Sequence, residues 1–371
     1  NGQVGFTRNS VYGDLALKPE QTTSIEFGLQ TAFLNNRANF DVTYYKSNAR
    51  DQIIPVPVSD ATGFSSYITN AGEIQNSGFE FILGGSPIES QGFSWNISAN
   101  LSINNNEIKA IKEGIDEIVV GSQFGYAGST VTMKLLEGEA YGNIFGSSYQ
   151  RFGSDPDNLF LDRSLPVIIG ANGFPSRTGT QLILGNAVPK WIGGIRNDFN
   201  YKDFELSFLI DFRTGLEQYN QYANFLSAFG KNKFTEARED FRVFDGVLAD
   251  GSPNTKEVWL GQGVGPDGVD YGAGYWRNHY RTTSENFVSD ASFIKLRNIT
   301  LGYNLNPGLL ERTPFRTARV SIAANNIILY TPWDGFDPES FSAGAGGNAI
   351  GLTGLGYPGV QSFFFNLNLG L

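Results

Sequence analysis

The chain has 371 residues, only 17% of them charged, and its 27 basic and 37 acidic side chains give a formal net charge of -10. This acidic balance would repel a phosphate backbone and argues against a nucleic-acid partner. The chain has no cysteine, which excludes disulfides, thiolate zinc sites and cysteine nucleophiles, and no apolar run approaches the ~18 residues of a membrane-spanning helix.

Alternating apolar and polar residues predict β-strands along the whole chain. In residues 94–104, for example, every second residue from Trp95 to Ile103 is apolar, and the residues between are Ser or Asn. This spacing places the two kinds of residue on opposite faces of a strand. The predicted strands, in chain order, cover residues 22–33, 39–49, 73–85, 93–104, 129–136, 141–151, 191–201, 204–213, 292–304, 316–329 and 361–371. Each of the eleven is near the ~9 to 11 residues that a tilted strand needs to cross a bilayer.

The links between these strands alternate in length. The short links are residues 34–38, 86–92, 138–140 and 202–203, and the long ones are residues 50–72, 105–128, 152–190, 214–291 and 330–360. Short periplasmic turns and long extracellular loops are typical of outer-membrane barrels. We therefore predict an all-β fold, a transmembrane antiparallel β-barrel whose apolar faces meet lipid and whose polar faces meet an aqueous lumen. A soluble or secreted β-rich protein would face the opposite way and would need more surface charge.

The sequence gives little support for catalysis or for a metal site. His279 is the single histidine, so there is no second imidazole for a metal pair and no usual seryl triad. We expect a protein that is not an enzyme and has no cofactor. The segment "SDPDNLFLD" places Asp155, Asp157, Asn158 and Asp162 close together, as in a calcium loop. It lacks the turn glycine and the distal glutamate, so an acidic surface turn is the favoured interpretation.

The long loops carry three further signals. Residues 215–229 have helical spacing after a capping-box pair, Thr214 and Glu217, and predict a short amphipathic helix that packs on neighbouring loops or contacts a partner. Glycine-rich runs at 261–268 and 344–351 are not followed by a helical pattern, so they predict loop tips and not phosphate sites. The loop aromatics could stack on sugar rings or peptide side chains, or only pack the loop. They are Trp259, Tyr271, Tyr275 and Trp276.

Several ordered blocks of sequence carry a family resemblance. They include "LKPEQTTSIEFGLQTAFLNNRANFDVTYYKS" (17–47), "NAGEIQNSGFEF" (70–81), "LGNAVPKWIGGIRNDFNYKDFELSFLID" (184–211), "SDASFIKLRNITLGYNL" (289–305) and "GFDPES" (335–340). Together they resemble the SusC/RagA branch of TonB-dependent outer-membrane transporters. The resemblance implies that residues 1–371 are the C-terminal part of a 22-stranded barrel, with the N-terminal plug, the TonB box and the first barrel half absent. The terminus departs from the family pattern, because Leu371 is not aromatic.

The same resemblance implies a function and partners. We expect active import of a bulky nutrient, an oligosaccharide or a peptide, across the outer membrane of a Gram-negative bacterium. The implied partners are a SusD-like surface lipoprotein that acts as a lid, TonB through the missing N-terminal region, outer-membrane lipid and other subunits of an outer-membrane complex. The alternative is a structural or scaffolding barrel that does not transport, and the missing plug and TonB box would distinguish the two.

Overall fold

A computed structural model describes residues 10–123, 129–340 and 350–371. The strands are β1 (Val11–Gly13), β2 (Gln21–Phe33), β3 (Ala38–Pro57), β4 (Ser66–Ser90), β5 (Phe93–Ile111), β6 (Ile118–Gln123), β7 (Val131–Leu135), β8 (Asn143–Tyr149), β9 (Arg177–Asn186), β10 (Trp191–Tyr201), β11 (Phe204–Thr214), β12 (Glu217–Asn220), β13 (Phe241–Val243), β14 (Glu257–Trp259), β15 (Val288–Asp290), β16 (Phe293–Asn304), β17 (Thr317–Tyr330), β18 (Leu352–Thr353) and β19 (Ser362–Gly370).

Helical structure is short. Among the described residues, one α-helix, α1, spans Gln221–Ala228, and single helical turns lie at Asp60–Thr62, Lys233–Thr235, Trp276–Tyr280, Ser284–Phe287 and Pro307–Leu309. In the described part of the chain, no helix has the length and apolar character to cross a membrane.

Nine long strands form one antiparallel sheet, which we call the wall. Its order is β2, β3, β4, β5, β10, β11, β16, β17 and β19, and β1 adds to β4 in parallel. Successive links lie alternately on its two rims. On one rim they are residues 34–37, 91–92, 202–203 and 305–316, and on the other they are residues 58–65, 112–190, 215–292 and 331–361. The three longest links are all on the second rim, but the predicted long link at 50–72 is reduced to the eight residues 58–65, because β3 and β4 extend into it. The predicted all-β barrel fold, with short turns on one rim and long loops on the other, is confirmed.

One face of the wall is apolar from edge to edge. Directly opposed residues in neighbouring strands lie on the same face, and Leu101 is opposed by Phe81 on one side and Gly193 on the other. The whole row is Leu29, Val42, Phe81, Leu101, Gly193, Phe212, Ile294 and Tyr330. At the last strand, Phe363 and Phe365 are 71% and 69% exposed. An exposed apolar band of this extent has the pattern of a lipid-facing barrel surface.

The opposite face of the wall is mainly polar. The next row contains Gln30, Asp41, Ile82, Asn100, Gly194, Asp211, Lys295 and Leu329. Asn100 is opposed by Gly194 and Ile82, one residue away from the apolar row that contains Leu101. The alternating apolar and polar residues of 94–104 therefore lie on two different surfaces of the folded wall.

Two of the eleven predicted wall strands are placed wrongly. Residues 129–136 and 141–151 do contain strands, β7 and β8, but these pair in a separate four-stranded sheet, while β5 pairs directly with β10. Their alternating apolar residues face a protein core, since Val131 and Met133 are fully buried. Residues 138–140 consequently lie at the long-loop rim, where Gly138 N–H donates to the carbonyl of Ile108 at 2.8 Å.

The predicted helix at 215–229 is also only partly correct. Its first residues form β12, and α1 begins after Asn220, whose side chain accepts a hydrogen bond from Ala223 N–H at 2.9 Å. Glu217 does not act in a capping box, because its carboxylate accepts from Asn186 N–H at 2.9 Å. Over only a few residues, the apolar spacing of a helical turn also fits a short strand. The strand forms when a neighbouring strand supplies its hydrogen bonds.

Candidate functional site

The long links fold together above one rim of the wall into a unit that we call the loop cap. Its main core joins residues of the three longest links, including Met133 and Ile144 of 112–190, Tyr219 and Phe287 of 215–292, and Leu352 of 331–361. Because these three links contribute to one shared core, the cap is a packed layer over the barrel mouth and not a set of separate loops.

Six charged side chains meet where the cap contacts the polar face of the wall. We call them the ion cluster: Asp211, Arg213, Lys295, Arg297, Asp337 and Glu339. The ammonium group of Lys295 lies 2.8 Å from Asp337 Oδ2 and 2.6 Å from Glu339 Oε2. The Lys295 side chain is only 3% exposed, so these two carboxylates compensate for the loss of its hydration.

A β-bulge brings the second cation to the same face. The register of β16 skips Arg297, between Leu296 and Asn298, against both of its neighbouring strands. A bulge inserts one residue and re-aims the side chains around it. Arg297 Nε donates to Asp211 Oδ2 at 2.7 Å, and its Nη2 donates to Glu339 Oε1 at 2.6 Å.

Glu339 is the most connected member of the ion cluster. Besides Lys295 and Arg297, it contacts Arg213, whose Nη2 lies 3.2 Å from Glu339 Oε1. Burial acts to raise the pKa of Glu339, but hydrogen bonds from Arg297 and Lys295 outweigh it and lower that pKa to about 2. The carboxylate therefore stays ionised at neutral pH, where it can bind both cations.

The lowered pKa of Glu339 gives a pH prediction. A carboxyl group with a depressed native pKa contributes stability that is complete above its unfolded value of about 4.3 and is lost as the pH falls through the native value. We expect the segment that carries Glu339 to stay attached at pH 5 and to loosen only as the pH approaches about 2. Two spin labels in the full-length protein, one on residue 336 and one on the wall, would measure this as a distance. A change that is complete by pH 5 would contradict it.

The predicted substrate-contact aromatics lie together in the cap, but with different exposure. Tyr275 is buried in a second core with Phe174 and Phe244, and Trp259 is 9% exposed, with its Nε1 donating to the carbonyl of Glu239. Tyr271 donates to Asp267 Oδ2 at 2.7 Å. Tyr275 and Trp259 therefore stabilise the cap, whatever else they contact.

A cavity of about 400 Å³ lies beside these aromatic residues. Trp259 and Trp276 both line it, together with Arg238, Arg277 and Gln262. Its volume is within the usual range for small-molecule pockets, and its guanidinium and amide groups supply hydrogen-bond donors.

Acidic side chains of residues 154–162 form hydrogen bonds within local turns. Asp155 Oδ1 accepts from the N–H of Asp157, and Asp162 Oδ1 accepts from the N–H and hydroxyl of Ser164, so these carboxylates close their own turns. In residues 10–123, 129–340 and 350–371, no three histidine, aspartate or glutamate side chains form a group that could hold a metal ion. The acidic-turn interpretation fits this geometry.

The remaining signals have local structural roles where the structure describes them. His279 stacks on Phe174 with ring centroids 4.2 Å apart, and burial lowers the pKa of its imidazole. In the 261–268 run, Gly263 N–H and Gly265 N–H donate to the carbonyls of Gly272 and Val269, which forms a turn. Most of the 344–351 run, residues 344–349, lies outside the described residues.

Sequence reasoning missed the ion cluster. One part of the signal is visible, because Lys295 and Arg297 are two cations in a strand whose other face is apolar. The other part is not, because Asp337 and Glu339 lie 42 and 44 residues further along the chain. Pairing at that separation depends on the folded position of the last long link.

Comparison with known proteins gives the family of this chain. A family model described as "TonB dependent receptor-like, beta-barrel" matches residues 1–327. TonB-dependent receptor P3 of Formosa agariphila is 28% identical over 373 residues, which cover 95% of this chain and 34% of that protein. TonB-dependent receptor SusC of Bacteroides thetaiotaomicron is 27% identical over 362 residues, 95% of this chain and 32% of that protein.

A solved structure gives the same fold. The structure of the RagAB peptide transporter matches with a TM-score of 0.65 and 21% identity over 94% of this chain and 35% of that chain. The chain thus spans about a third of the length of the proteins it matches, and those proteins are receptors and transporters by name. The match over most of the chain confirms the resemblance read from the sequence, and the protein belongs to the TonB-dependent receptor-like β-barrel family.

Proposed function

We propose that this chain is the C-terminal part of a barrel that imports a bulky nutrient, an oligosaccharide or a peptide, across the outer membrane of a Gram-negative bacterium. One observation carries the proposal: a wall with an apolar outer face and a polar inner face is covered on its long-loop rim by a packed cap. A polar lumen behind a structured mouth suits a selective pathway for a hydrophilic solute. In this proposal a plug, a TonB box and the other part of the barrel lie N-terminal to the chain.

The proposal includes a SusD-like surface lipoprotein that closes over the cap. Two features support it: the relative named SusC, and an exposed aromatic surface on the cap. Tyr222 and Phe336 pack with ring centroids 4.9 Å apart and are 37% and 47% exposed, and nearby Phe229 is 58% exposed. Exposed aromatic side chains are favoured at protein interfaces. TonB would act through the N-terminal region and supply the energy.

The substrate would contact the cap at the cavity beside Trp259 and Trp276. Indole rings stack on sugar rings and on peptide side chains, and the guanidinium groups of Arg238 and Arg277 donate to hydroxyl, carbonyl or carboxylate oxygens. Tyr271 and Tyr275 would then act mainly by holding Trp259 and Trp276 in place, since the rings of Trp259 and Tyr271 and of Tyr275 and Trp276 meet edge to face.

Uptake by the full-length protein tests this function. We expect deletion of the TonB box to abolish growth on the imported nutrient while the lipoprotein still co-purifies. We expect Trp276→Ala with Arg277→Ala to weaken substrate binding by about tenfold, the effect of losing ~1.4 kcal/mol of contact. Trp191→Ala, which removes a half-exposed indole at the rim of the wall, is the matched control and should leave binding unchanged. Growth that does not depend on the TonB box would favour the scaffolding barrel instead.

A further inference from the structure

The segment that follows β17 crosses from the wall to the cap, and we call residues 331–340 the strap. Its first part is fixed to the wall side, because Thr331 Oγ1 donates to the carbonyl of Ser292 at 2.7 Å. Trp333 is then buried in a small core with Leu216 and Ala291. These contacts place the strap beside the upper ends of β11 and β16.

The strap's two carboxylates hold it to the polar face of the wall. Asp337 and Glu339 both bind Lys295, and Glu339 also binds Arg297. Asp337 Oδ1 accepts from Glu339 N–H at 3.0 Å, which orients the two carboxylates toward the cations. A lysine as buried as Lys295 needs these anions, because without them its charge would lie in a site of low polarity.

The other side of the strap is bonded to the cap. Gln218 Nε2 donates to the carbonyl of Pro338, and Asn220 Nδ2 donates to the carbonyl of Asp334, each at 2.7 Å. Asn220 is also the N-cap of α1, so one side chain joins the strap to the start of that helix. The strap's Phe336 packs against Tyr222 of α1, on the exposed surface of the cap.

The ion cluster is not saturated. Arg213 Nε is buried, and in the described part of the chain it has no hydrogen-bond partner, although Arg213 Nη2 contacts Glu339. Arg297 also has a second anion on the wall itself, Asp211. Arg297 therefore has a partner other than the strap, and Arg213 Nε can donate to a further acceptor. Detaching the strap would leave Arg297 paired, and the main cost would fall on Lys295.

We propose that the strap is an ionic latch. It couples the ion pairs on the polar face of the wall to the position of α1 on the exposed surface of the cap. While Asp337 and Glu339 hold Lys295 and Arg297, Gln218 and Asn220 keep β12 and α1 against the strap. Loss of the ion pairs frees the strap, and α1 with its exposed aromatic surface loses that support. The proposal relies on the proposed transport function only for its role, which is to relay events in the barrel to a partner outside.

Hydrogen–deuterium exchange of the full-length protein in lipid, at one fixed pH, tests the latch without any transport assay. The variant is Asp337→Asn with Glu339→Gln, which keeps side-chain size and removes both negative charges. We expect backbone amides in residues 331–340 and 217–228 to exchange about tenfold faster, because local opening becomes easier, while amides of the wall strands stay protected.

The matched control is Glu205→Gln. Glu205 pairs with Arg319 at 2.6 Å on the same face of the wall and does not contact the strap. Its substitution should therefore leave hydrogen exchange in residues 331–340 and 217–228 at the wild-type rate. Adding Lys295→Met to the double variant removes the unpaired lysine; the strap should remain loose and the wall should remain protected. Wild-type exchange in 331–340 of the double variant would overturn the latch, and so would a loosened strap with unchanged exchange in 217–228.

Discussion

Leu101→Arg should destabilise the full-length barrel in a bilayer by about 2–4 kcal/mol, whereas Asn100→Arg should leave its stability nearly unchanged. The two residues are neighbours in β5 and differ in the face that they occupy. Leu101 lies between Phe81 and Gly193 in the apolar row, so an arginine there would place a charge against lipid. Asn100 is exposed on the polar face, where an arginine stays hydrated.

Denaturant titration of the full-length protein in lipid vesicles measures both effects. The difference between the two variants carries the information, because each adds the same side chain at nearly the same depth. Equal losses of stability would contradict the assignment of the two faces.

Arg151→Met should have the largest effect in the loop cap. Arg151 Nη2 lies 2.7 Å from Glu285 Oε1, and the two side chains are only 10% and 5% exposed. Glu285 also accepts from Tyr149 N–H at 2.8 Å. Removing the arginine leaves a buried carboxylate with one distant cation, Arg163 at 4.0 Å, and breaking a buried pair in this way costs about 3–5 kcal/mol.

We expect this loss of stability to appear as local opening of the cap. Hydrogen exchange should become faster in residues 143–149 and 284–288 and should not change in the wall. Arg151→Met together with Glu285→Leu should cost less than Arg151→Met alone, since no unpaired charge remains. A double variant that is less stable than the single one would show that the two residues act through packing and not through their charges.

The wall could be predicted from the sequence because its strands have two different environments. Leu101 and Asn100 differ in polarity for that reason, and the alternation extends to Phe363, Phe365 and Leu367 in the last strand. Link lengths then indicated the rim of the tight turns at 34–37 and 202–203, but they misassigned residues 138–140, which lie at the long-loop rim.

The alternation of apolar and polar residues also explains the two misplaced strands, β7 and β8. Val131, Met133 and Leu135 are buried while Thr132 and Lys134 between them are only partly so, so a strand in the cap has the alternation of a strand in the wall. Period 2 reports that two faces differ, but it does not report whether lipid or a protein core covers the apolar one. The pairing of β5 with β10 is what shows that the strands between them in the chain belong to the cap and not to the wall.

The ion cluster and the start of α1 depend on contacts that are distant in sequence. Asp337 reaches Lys295 across 42 residues, and the hydrogen bond of Glu217 to Asn186 N–H replaces its predicted role in a capping box. Sequence patterns describe neighbours within one element. They do not describe which loop a lysine or a glutamate meets after folding.

Labelling of single cysteines along β19 in the full-length protein tests the central claim most directly, since residues 1–371 contain no cysteine of their own. A water-soluble maleimide should react with cysteine at positions 364, 366 and 368, which face the lumen. Cysteines at positions 363, 365 and 367 should resist it, and a lipid-soluble fluorophore attached to them instead should be quenched by brominated lipid. Labelling that does not alternate, or lipid quenching at the even positions, would contradict a wall with one face in lipid and the other in a polar lumen.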